Sequence, residues 1–291
     1  MNGTIIKGMG GLYTVRDEQG DCYVLRAKGK FRRQGVSPLV GDRVAFTPGT
    51  GDEHGWVNEI LPRSSCLVRP PVANIEKLVL VASVEPEPDF LLIDRMLIFC
   101  RQQGIIPVIV INKSELDESL AEKFRAQYAG AEVQVLAASA HEGRGIEELK
   151  EILRGSLCCF AGQSGVGKSS LLSVLTGRSL ETGEISQKIL RGKNTTRHTE
   201  LLLAEGLAVL DTPGFSLLEL QELMDPVQLK NYYPEFLPYE GCCRFAPCYH
   251  DREPGCAVLQ AGLDGKIDAK RLERYHLLLE QVRKEWKERY D

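Results

Sequence analysis

Two patterns of apolar and polar positions divide the chain. In its first part, short apolar stretches alternate with polar positions and are separated by Gly, Asp and Pro turns, which is typical of β-hairpins. These stretches predict five strands, at residues 5–6, 12–15, 22–25, 43–46 and 55–60. Five short strands in so small a segment predict an OB-type β-barrel over residues 1–67.

From about residue 73 the apolar runs become continuous and alternate with helical stretches. The runs predict buried strands at residues 78–82, 107–111, 133–137, 157–161 and 207–211. Helices are predicted at residues 91–103, 119–128, 145–153 and 168–175. Because strands and helices alternate, we predict a parallel α/β sheet with helices on both faces, in a domain spanning residues 73–220.

Beyond this sheet the pattern changes again, and a helical C-terminal domain is predicted over residues 221–291. It opens with a Pro- and Cys-containing stretch at 226–255 and ends in a long helix at 268–290. The apolar residues of that helix recur at helical spacing, at Leu272, Tyr275, Leu279, Val282 and Trp286. We interpret this stripe as a helix face that packs on a core.

Composition narrows the class of protein. Of the 291 residues, 43% are hydrophobic and 26% are charged, as in an ordinary globular protein. The first residues hold no apolar run typical of a signal peptide, and no window holds roughly 18 consecutive apolar residues, so we expect no export and no membrane contact. Nine cysteines, most of them in apolar contexts, indicate reduced thiols and a cytoplasmic protein rather than a disulfide framework.

The net charge of −4 gives no general argument for nucleic-acid binding, so any such argument has to be local. The stretch 26–43 contains one acidic residue, Asp42, and six basic residues: Arg26, Lys28, Lys30, Arg32, Arg33 and Arg43. A solvated loop would explain this cluster equally well. On an OB-type barrel, however, a basic loop is where RNA phosphates bind, and we predict that role here.

One segment carries a complete phosphate-binding motif, Gly-x-x-x-x-Gly-Lys-Ser, between an apolar strand and a helix. Its residues are Gly162, Gln163, Ser164, Gly165, Val166, Gly167, Lys168 and Ser169, followed by Ser170. The glycines let backbone N–H groups turn towards phosphate oxygens, and the positive end of the helix dipole assists them. We expect Lys168 to contact the β- and γ-phosphates and the Ser169 hydroxyl to bind Mg²⁺.

A second motif for Mg²⁺ and the γ-phosphate follows downstream. Asp211 ends an apolar strand and begins an Asp-x-x-Gly element. We expect Asp211 to hold Mg²⁺ through a water molecule and the Gly214 N–H to sense the γ-phosphate. The polar, Thr-rich loop at 192–199 is suited to a switch that closes over the phosphate, with either Thr195 or Thr196 as a Mg²⁺ ligand.

The residues that would read the base precede the phosphate loop. The first element matches the Asn-Lys-x-Asp pattern of GTPases, with Glu for Asp: Asn112, Lys113, Ser114 and Glu115. Glu115 supplies the carboxylate for the guanine N–H groups on a longer stem, and Asp117 is a weaker alternative. A second element, Ser139-Ala140, resembles the one that contacts the guanine carbonyl. This order reverses that of ordinary small GTPases and indicates a circularly permuted domain that binds GTP and GDP.

Three cysteines and a histidine cluster near the C-terminus as Cys243, Cys248, His250 and Cys256. Three sulfurs and one nitrogen form a common tetrahedral ligand set for structural Zn²⁺. Four protein ligands leave no open position, so we predict a structural ion rather than a catalytic one. Cys242 is an alternative to Cys243 on spacing alone.

These motifs together resemble the bacterial small-subunit-dependent GTPases of ribosome biogenesis. The resemblance covers nearly the whole chain, from the OB-type barrel to the Cys-x4-Cys-x-His-x5-Cys spacing, which selects Cys243. It implies a multidomain α/β protein with an N-terminal OB barrel, a circularly permuted P-loop GTPase domain and a zinc-binding helical C-terminal domain. It further implies binding to the immature 30S subunit and its 16S rRNA, with GTP hydrolysis stimulated by the ribosome. We expect the protein to be a cytoplasmic monomer.

The chain departs from this family at residues that bear on catalysis. Asn194 stands where the family often has a His that assists the attacking water, and Phe215 after Gly214 cannot position water. Asn194 could orient a water without acting as a base, and His198 is the alternative. We therefore expect slow hydrolysis by the protein alone. Two other functions compete: a P-loop ATPase or metabolite kinase with a zinc-stabilised lid, and an RNA-binding module gated by nucleotide.

Overall fold

The structure is a computed structural model that describes residues 1–51, 53–67, 71–178, 200–204, 206–211 and 224–289. Its first five strands are β1 Asn2–Met9, β2 Leu12–Asp17, β3 Cys22–Ala27, β4 Arg43–Thr47 and β5 Gly55–Ile60. They follow one another in the order β1-β2-β3-β5-β4, and β4 pairs back onto β1. This pairing closes a five-stranded barrel, so the predicted OB-type architecture is confirmed.

Each barrel strand places one face inside, as the alternating pattern predicts. The interior side chains Ile5, Val15, Leu25, Val44 and Val57 are fully buried. The basic stretch, which we predicted as a loop, contains a short helix, α1 Gly29–Arg33. Phe31 anchors this helix in the core, and five residues are too few to produce a recognisable helical period.

The central sheet contains β8 Lys77–Ser83, β9 Ile106–Asn112, β10 Gln134–Ala137, β11 Leu157–Ala161, β12 Glu200–Ala204 and β13 Leu207–Asp211. A small hairpin, β6 Cys66–Leu67 and β7 Val72–Ala73, precedes it. The strand order is β10-β9-β8-β11-β13-β12. The five predicted strands pair in parallel, as expected, and β12, a strand that was not predicted, pairs antiparallel to β13. A five-residue strand with only a short apolar run gave no separate signal in the sequence.

Four helices cover this sheet: α2 Phe90–Gln103, α3 Ser119–Gln127, α4 Ile146–Leu153 and α5 Lys168–Thr176. Strand β8 shows how the two faces divide, because Leu78 and Leu80 pack in the core that contains α2 and α3 residues. Val79 and Val81 point the other way, into the core formed with α4 and α5. The predicted helices on both faces are confirmed.

The barrel joins the edge of the central sheet, which makes one continuous sheet of 11 strands. Strand β1 pairs antiparallel with β12 at Lys7 and Glu200. The side chains of these two residues also form an ion pair, with 2.9 Å between Lys7 Nζ and Glu200 Oε2. Barrel and sheet are therefore connected through backbone pairing as well as through the hairpin β6–β7.

The C-terminal region comprises two 3₁₀ helices, Pro226–Tyr232 and Pro234–Tyr239, and two α-helices, α6 Ala257–Leu263 and α7 Ala269–Glu288. The predicted apolar stripe of α7 is buried at Leu272, Tyr275, Leu279 and Val282, whereas Trp286 is half-buried. Ile98 of α2 belongs to this C-terminal core rather than to the central one. None of the helices in the described ranges is both long and apolar enough to cross a bilayer.

Candidate functional site

The phosphate-binding motif lies between β11 and the start of α5, at the carboxyl end of the parallel strands. Gly162 has a φ of +139°, and a Cβ there would lie 2.2 Å from the Val81 carbonyl oxygen. Gly167 has a φ of +90°, and its Cβ would lie 2.2 Å from Asn112 Nδ2. These positions require glycine for both backbone conformation and space. Val166 between them is buried in the core and holds the loop in place.

Lys168 begins α5 and folds back across this loop. Its Nζ donates to the carbonyl oxygens of Gly162 at 2.8 Å and Gln163 at 2.6 Å. Burial lowers the pKa of its ammonium group. Ser169 and Ser170 follow in the first turn of α5, while Ser164 is exposed at the tip of the loop. One cation, two hydroxyl side chains and the backbone N–H groups of the loop therefore lie on one loop and the helix turn that follows it.

Asn112 joins the phosphate loop to the predicted base-reading elements. Its Nδ2 donates to the Val166 carbonyl at 2.9 Å, and its Oδ1 accepts from the Ala140 N–H at 3.1 Å. The side chain is 2% exposed, so both bonds lie in a largely dry environment. Three segments that are far apart in the sequence therefore meet at one amide group.

The rest of the base-reading region is held by local hydrogen bonds. The Ser114 N–H donates to the Ala138 carbonyl at 3.1 Å, and Ser139 Oγ accepts from the Glu142 N–H at 3.0 Å. A hydrogen bond from Ser139 lowers the pKa of the Glu115 carboxyl, which keeps it ionised. An ionised carboxylate beside Ser139-Ala140 is the group expected to accept from guanine N–H donors.

Lys113 extends this site towards a segment that the sequence did not reveal. Its backbone is left-handed, with φ of +58°, and its Nζ donates to the Glu85 carbonyl at 2.5 Å. Residues 83–89, from the last residue of β8 to the residue before α2, therefore contact the base-reading element through Glu85. The segment holds Glu, Pro and Asp without a nucleotide-binding pattern, so no motif could have identified it.

Part of the predicted switch and magnesium site lies outside the described residues. This holds for Asn194, Thr195, Thr196, His198 and Gly214. The backbone of Asp211 is described, and it ends β13, which is parallel to β11. Because parallel strands end at the same edge, Asp211 lies at the edge of the sheet that carries the phosphate loop.

The four predicted metal ligands come together in the C-terminal region. The ligand atoms of Cys243, Cys248, His250 and Cys256 all lie within 4.8 Å of one another. Cys242 is exposed and its thiol contacts the Glu240 carbonyl instead. The geometry therefore brings Cys243, rather than its neighbour, into the cluster.

The donor set fits a tetrahedral zinc ion. Two sulfurs bound at the usual Zn–S length lie about 3.8 Å apart, and Cys243 Sγ and Cys256 Sγ are 3.9 Å apart. His250 Nδ1 lies 3.6 Å from Cys243 Sγ and 3.3 Å from Cys256 Sγ. Burial, together with nearby Lys230, lowers the pKa of His250 to about 4, so its imidazole is neutral as a ligand must be.

Two protein-family models match this chain, one over the N-terminal barrel and one over the central domain. The RsgA GTPase family model matches residues 60–221, and the RsgA N-terminal domain model matches residues 2–57. A small ribosomal subunit biogenesis GTPase RsgA from Ruminiclostridium cellulolyticum is 46% identical over 278 residues, covering 94% of this chain and 91% of its own. One from Geobacillus thermodenitrificans is 44% identical over 295 residues, covering 99% of each chain.

Solved structures show the same likeness over nearly the whole length. YjeQ from Thermotoga maritima superposes with a TM-score of 0.83 at 35% identity, covering 97% of this chain and 98% of its own. YloQ, described as a circularly permuted GTPase, superposes with a TM-score of 0.80 at 32% identity and covers 97% and 95%. The permuted order of motifs is thus shared with a solved relative.

Proposed function

The chain belongs to the RsgA GTPase family, and from this premise we propose that it binds guanine nucleotide, hydrolyses GTP and serves in the assembly of the small ribosomal subunit. The observation that carries the proposal is the position of Asn112. Its amide bonds the phosphate loop at Val166 and the Ser-Ala element at Ala140, so the base and phosphate elements form one site. An ATPase or metabolite kinase would not need this base-reading arrangement.

Within this site, Lys168 neutralises phosphate charge and Glu115 reads the guanine ring. The proposal assigns Mg²⁺ to the Ser169 hydroxyl and to Asp211, and this ion would shield the phosphates during hydrolysis. Thr195 or Thr196 completes that site in the proposal, and Asn194 or His198 positions the attacking water. Backbone N–H groups of the phosphate loop orient the nucleotide before reaction.

The cysteine and histidine cluster is proposed to bind one structural Zn²⁺. Its donors are three sulfurs and one imidazole, and Cys248, His250 and Cys256 are buried. The backbone N–H of Ala257 lies 3.4 Å from Cys243 Sγ and that of Leu259 lies 3.5 Å from Cys256 Sγ, positions that stabilise negative sulfur. The ion would hold the 3₁₀ helices against α6 and α7.

The partner that we propose for the barrel is 16S rRNA of the 30S subunit. Five basic side chains on and beside α1 are exposed and form no ion pair within the described residues: Arg26, Lys28, Lys30, Arg32 and Arg33. Trp56, which is 45% exposed, lies opposite Arg26 on the neighbouring strand. Cations without an acidic partner, beside an exposed aromatic ring, suit an RNA backbone and its bases. We place the protein in the cytoplasm, where this partner is assembled, and propose that it acts as a monomer.

The test is GTP hydrolysis with and without purified 30S subunits. We expect slow hydrolysis by the protein alone and at least about a tenfold increase with subunits, because Phe215 and Asn194 are poor catalysts. GDP, but not ADP, should displace a fluorescent guanine nucleotide. The same assay on Asn194→Ala and His198→Ala distinguishes which residue positions water. Displacement by ADP equal to that by GDP would favour the ATPase alternative, and hydrolysis unaffected by 30S subunits would contradict the assembly role.

A further inference from the structure

Residues 83–89 are held by both halves of the nucleotide site. On the base side, Lys113 Nζ donates to the Glu85 carbonyl at 2.5 Å, and within the segment Ser83 Oγ donates to the same oxygen at 2.8 Å. On the phosphate side, a Cβ at Gly165 would lie 3.6 Å from Pro86 Cδ, which is ordinary van der Waals contact. This segment therefore bridges the two motifs that meet the nucleotide.

The side chain of Gln163 makes the strongest link on the phosphate side. Its Oε1 accepts from the Asp89 N–H at 2.9 Å, and its Nε2 donates to the Glu87 carbonyl at 3.1 Å. The primary amide thus pairs with two backbone groups of the segment, much as a neighbouring strand would. A displacement of the phosphate loop at Gln163 moves the end of segment 83–89 with it.

That end is also the beginning of α2. Asp89 caps the helix, and its Oδ1 accepts from the Leu92 N–H at 2.9 Å. The backbone N–H of Asp89 faces Gln163 while its side chain faces the helix. The first turn of α2 is therefore fixed relative to the phosphate loop through one residue.

Helix α2 is in turn bound to α7 by buried ion pairs. Asp94 is fully buried, and it accepts from Arg274 Nε at 2.6 Å and lies 2.5 Å from Arg271 Nη1. Tyr128 OH donates to the same carboxylate at 2.6 Å. Buried charges held by several partners resist separation, so α2 and α7 move together.

A bound nucleotide would change the hydrogen bonds that hold segment 83–89 and the phosphate loop. Lys168 Nζ donates to the carbonyl of Gln163 itself, and a phosphate that attracts this ammonium weakens that bond. Guanine packed along the Lys113 stem would likewise contact the side chain whose Nζ donates to the Glu85 carbonyl. Nucleotide binding therefore changes the forces on segment 83–89 from both sides, which gives the differential interaction that coupling requires.

We propose that Gln163 is a positioning residue that transmits nucleotide occupancy through segment 83–89 and α2 to α7. The proposal rests on the proposed function, since it needs guanine nucleotide in the site. It names a route separate from the direct chain connection at 212–223, which lies outside the described residues. It also assigns a role to the amide side chain at a position where the motif specifies no residue type.

Hydrogen exchange of the full chain tests this route, with and without saturating GDP. In the wild type we expect GDP to slow exchange at residues 162–169, at the first turn of α2 and in α7, the last by about fivefold. Gln163→Leu keeps the side-chain size but removes both hydrogen bonds. At GDP concentrations that saturate the variant itself, established by titration with a fluorescent guanine nucleotide, it should lose most of the effect in α7. Gln102→Leu, the same change near the other end of α2, should behave as the wild type.

A second pair of variants avoids the phosphate loop altogether. Asp89→Pro removes both the helix cap and the N–H that bonds Gln163, at a φ of −81° that proline tolerates. Asp89→Ala removes the cap alone. The proposal predicts that Asp89→Pro loses the GDP effect in α7 and that Asp89→Ala retains it.

The outcomes separate this inference from the function on which it rests. Absence of a GDP effect at 162–169 in the wild type contradicts nucleotide binding. An effect there without any in α7 contradicts only the coupling. An α7 effect that persists in both Gln163→Leu and Asp89→Pro also overturns the proposal, because the signal then travels by another route.

Discussion

At the scale of single residues, the site depends on how closely Gly167 approaches Asn112. Gly167→Ala adds a methyl 2.2 Å from Asn112 Nδ2 at a φ of +90°. We expect the Asn112–Val166 bond to break, with a loss of roughly 2–4 kcal/mol from backbone strain and the missing hydrogen bond. Thermal unfolding and binding of a fluorescent guanine nucleotide would measure both effects.

Gly155→Ala is the matched control for this change. Gly155 also has a positive φ, +71°, but a Cβ there meets nothing within 4 Å. It should cost only the left-handed strain of about 1–2 kcal/mol and leave nucleotide binding intact. Equal losses of nucleotide affinity in the two variants would show that the contact with Asn112 does not matter.

The buried carboxylate of Asp94 gives a second prediction at this scale. Asp94→Ala leaves Arg274 and Arg271 without their shared partner in a buried site, where such a loss costs about 3–5 kcal/mol. Urea unfolding should show a correspondingly lower midpoint. Asp264→Ala, which removes an exposed partner of Lys266, should cost less than about 1 kcal/mol. Similar midpoints for the two variants would mean that the buried network contributes little to stability.

Two adjacent cysteines provide a third comparison. Cys243→Ser removes a ligand of the cluster, whereas Cys242→Ser changes an exposed thiol outside it. We expect elemental analysis to find one zinc per chain in the wild type and in Cys242→Ser. Cys243→Ser should lose most of its zinc and expose residues 224–289 to protease, because zinc binding supplies folding free energy. A full zinc content in Cys243→Ser would contradict the assignment.

Site residues that belong to motifs with a fixed spacing could be predicted from the sequence. Buried charged residues that pair across distant parts of the chain could not. The phosphate-loop residues and Asn112 are placed together as the motifs predict, because each motif carries its own strand end. Arg271 and Arg274 lie outside the predicted apolar stripe of α7, yet the structure buries both. Their partner Asp94 is 180 residues from Arg274, and no local pattern reports an interaction at that separation.

At the scale of elements, the long helices and strands could be predicted from the sequence and the short ones could not. Helices α2 to α5 and strands β8, β9 and β11 have continuous periods, and the predicted segments coincide with them to within two residues. Helix α1 has five residues and β12 has five, and neither was recognised. Helix α6 was not predicted either. It follows directly after Cys256, a candidate metal ligand whose side chain also caps the helix.

Helix α2 packs in two hydrophobic cores, that of the central domain and that of the C-terminal region. Met96 and Leu97 pack in the central core, while Ile98 packs in the C-terminal core. The C-terminal helices therefore dock on a helix that starts at the nucleotide site. Periodicity predicts the buried stripe of a helix but not which neighbour covers each side of it.

At the scale of the whole molecule, the proposed 30S partner is rich in RNA, and a chain with net charge of −4 would have to bind it through a local surface. We expect Arg32→Ala combined with Arg33→Ala to weaken 30S binding. The slope of log affinity against log salt concentration should fall in magnitude by about one for each phosphate that the variant no longer neutralises. Sedimentation of protein with 30S subunits over a series of salt concentrations would measure this slope.

A double variant that removes two cations elsewhere is the control. Lys123→Ala combined with Arg125→Ala changes the net charge equally but on α3, away from the barrel. It should leave the salt slope unchanged. If both double variants lower the slope alike, the barrel surface has no special role and only net charge matters.

The pairing of β1 with β12 has a consequence for how the protein is made. Lys7 and Glu200 are 193 residues apart, so at about 5–20 residues per second a ribosome needs roughly 10–40 s to supply the partner strand. The barrel strands β1 to β5 emerge first and can pair among themselves, but one edge of β1 waits for β12. Asn112 likewise emerges before Val166, the residue that it binds. A nascent chain therefore gains guanine-nucleotide affinity only after the phosphate loop has emerged, so bound nucleotide marks a chain synthesised beyond residue 169 of 291.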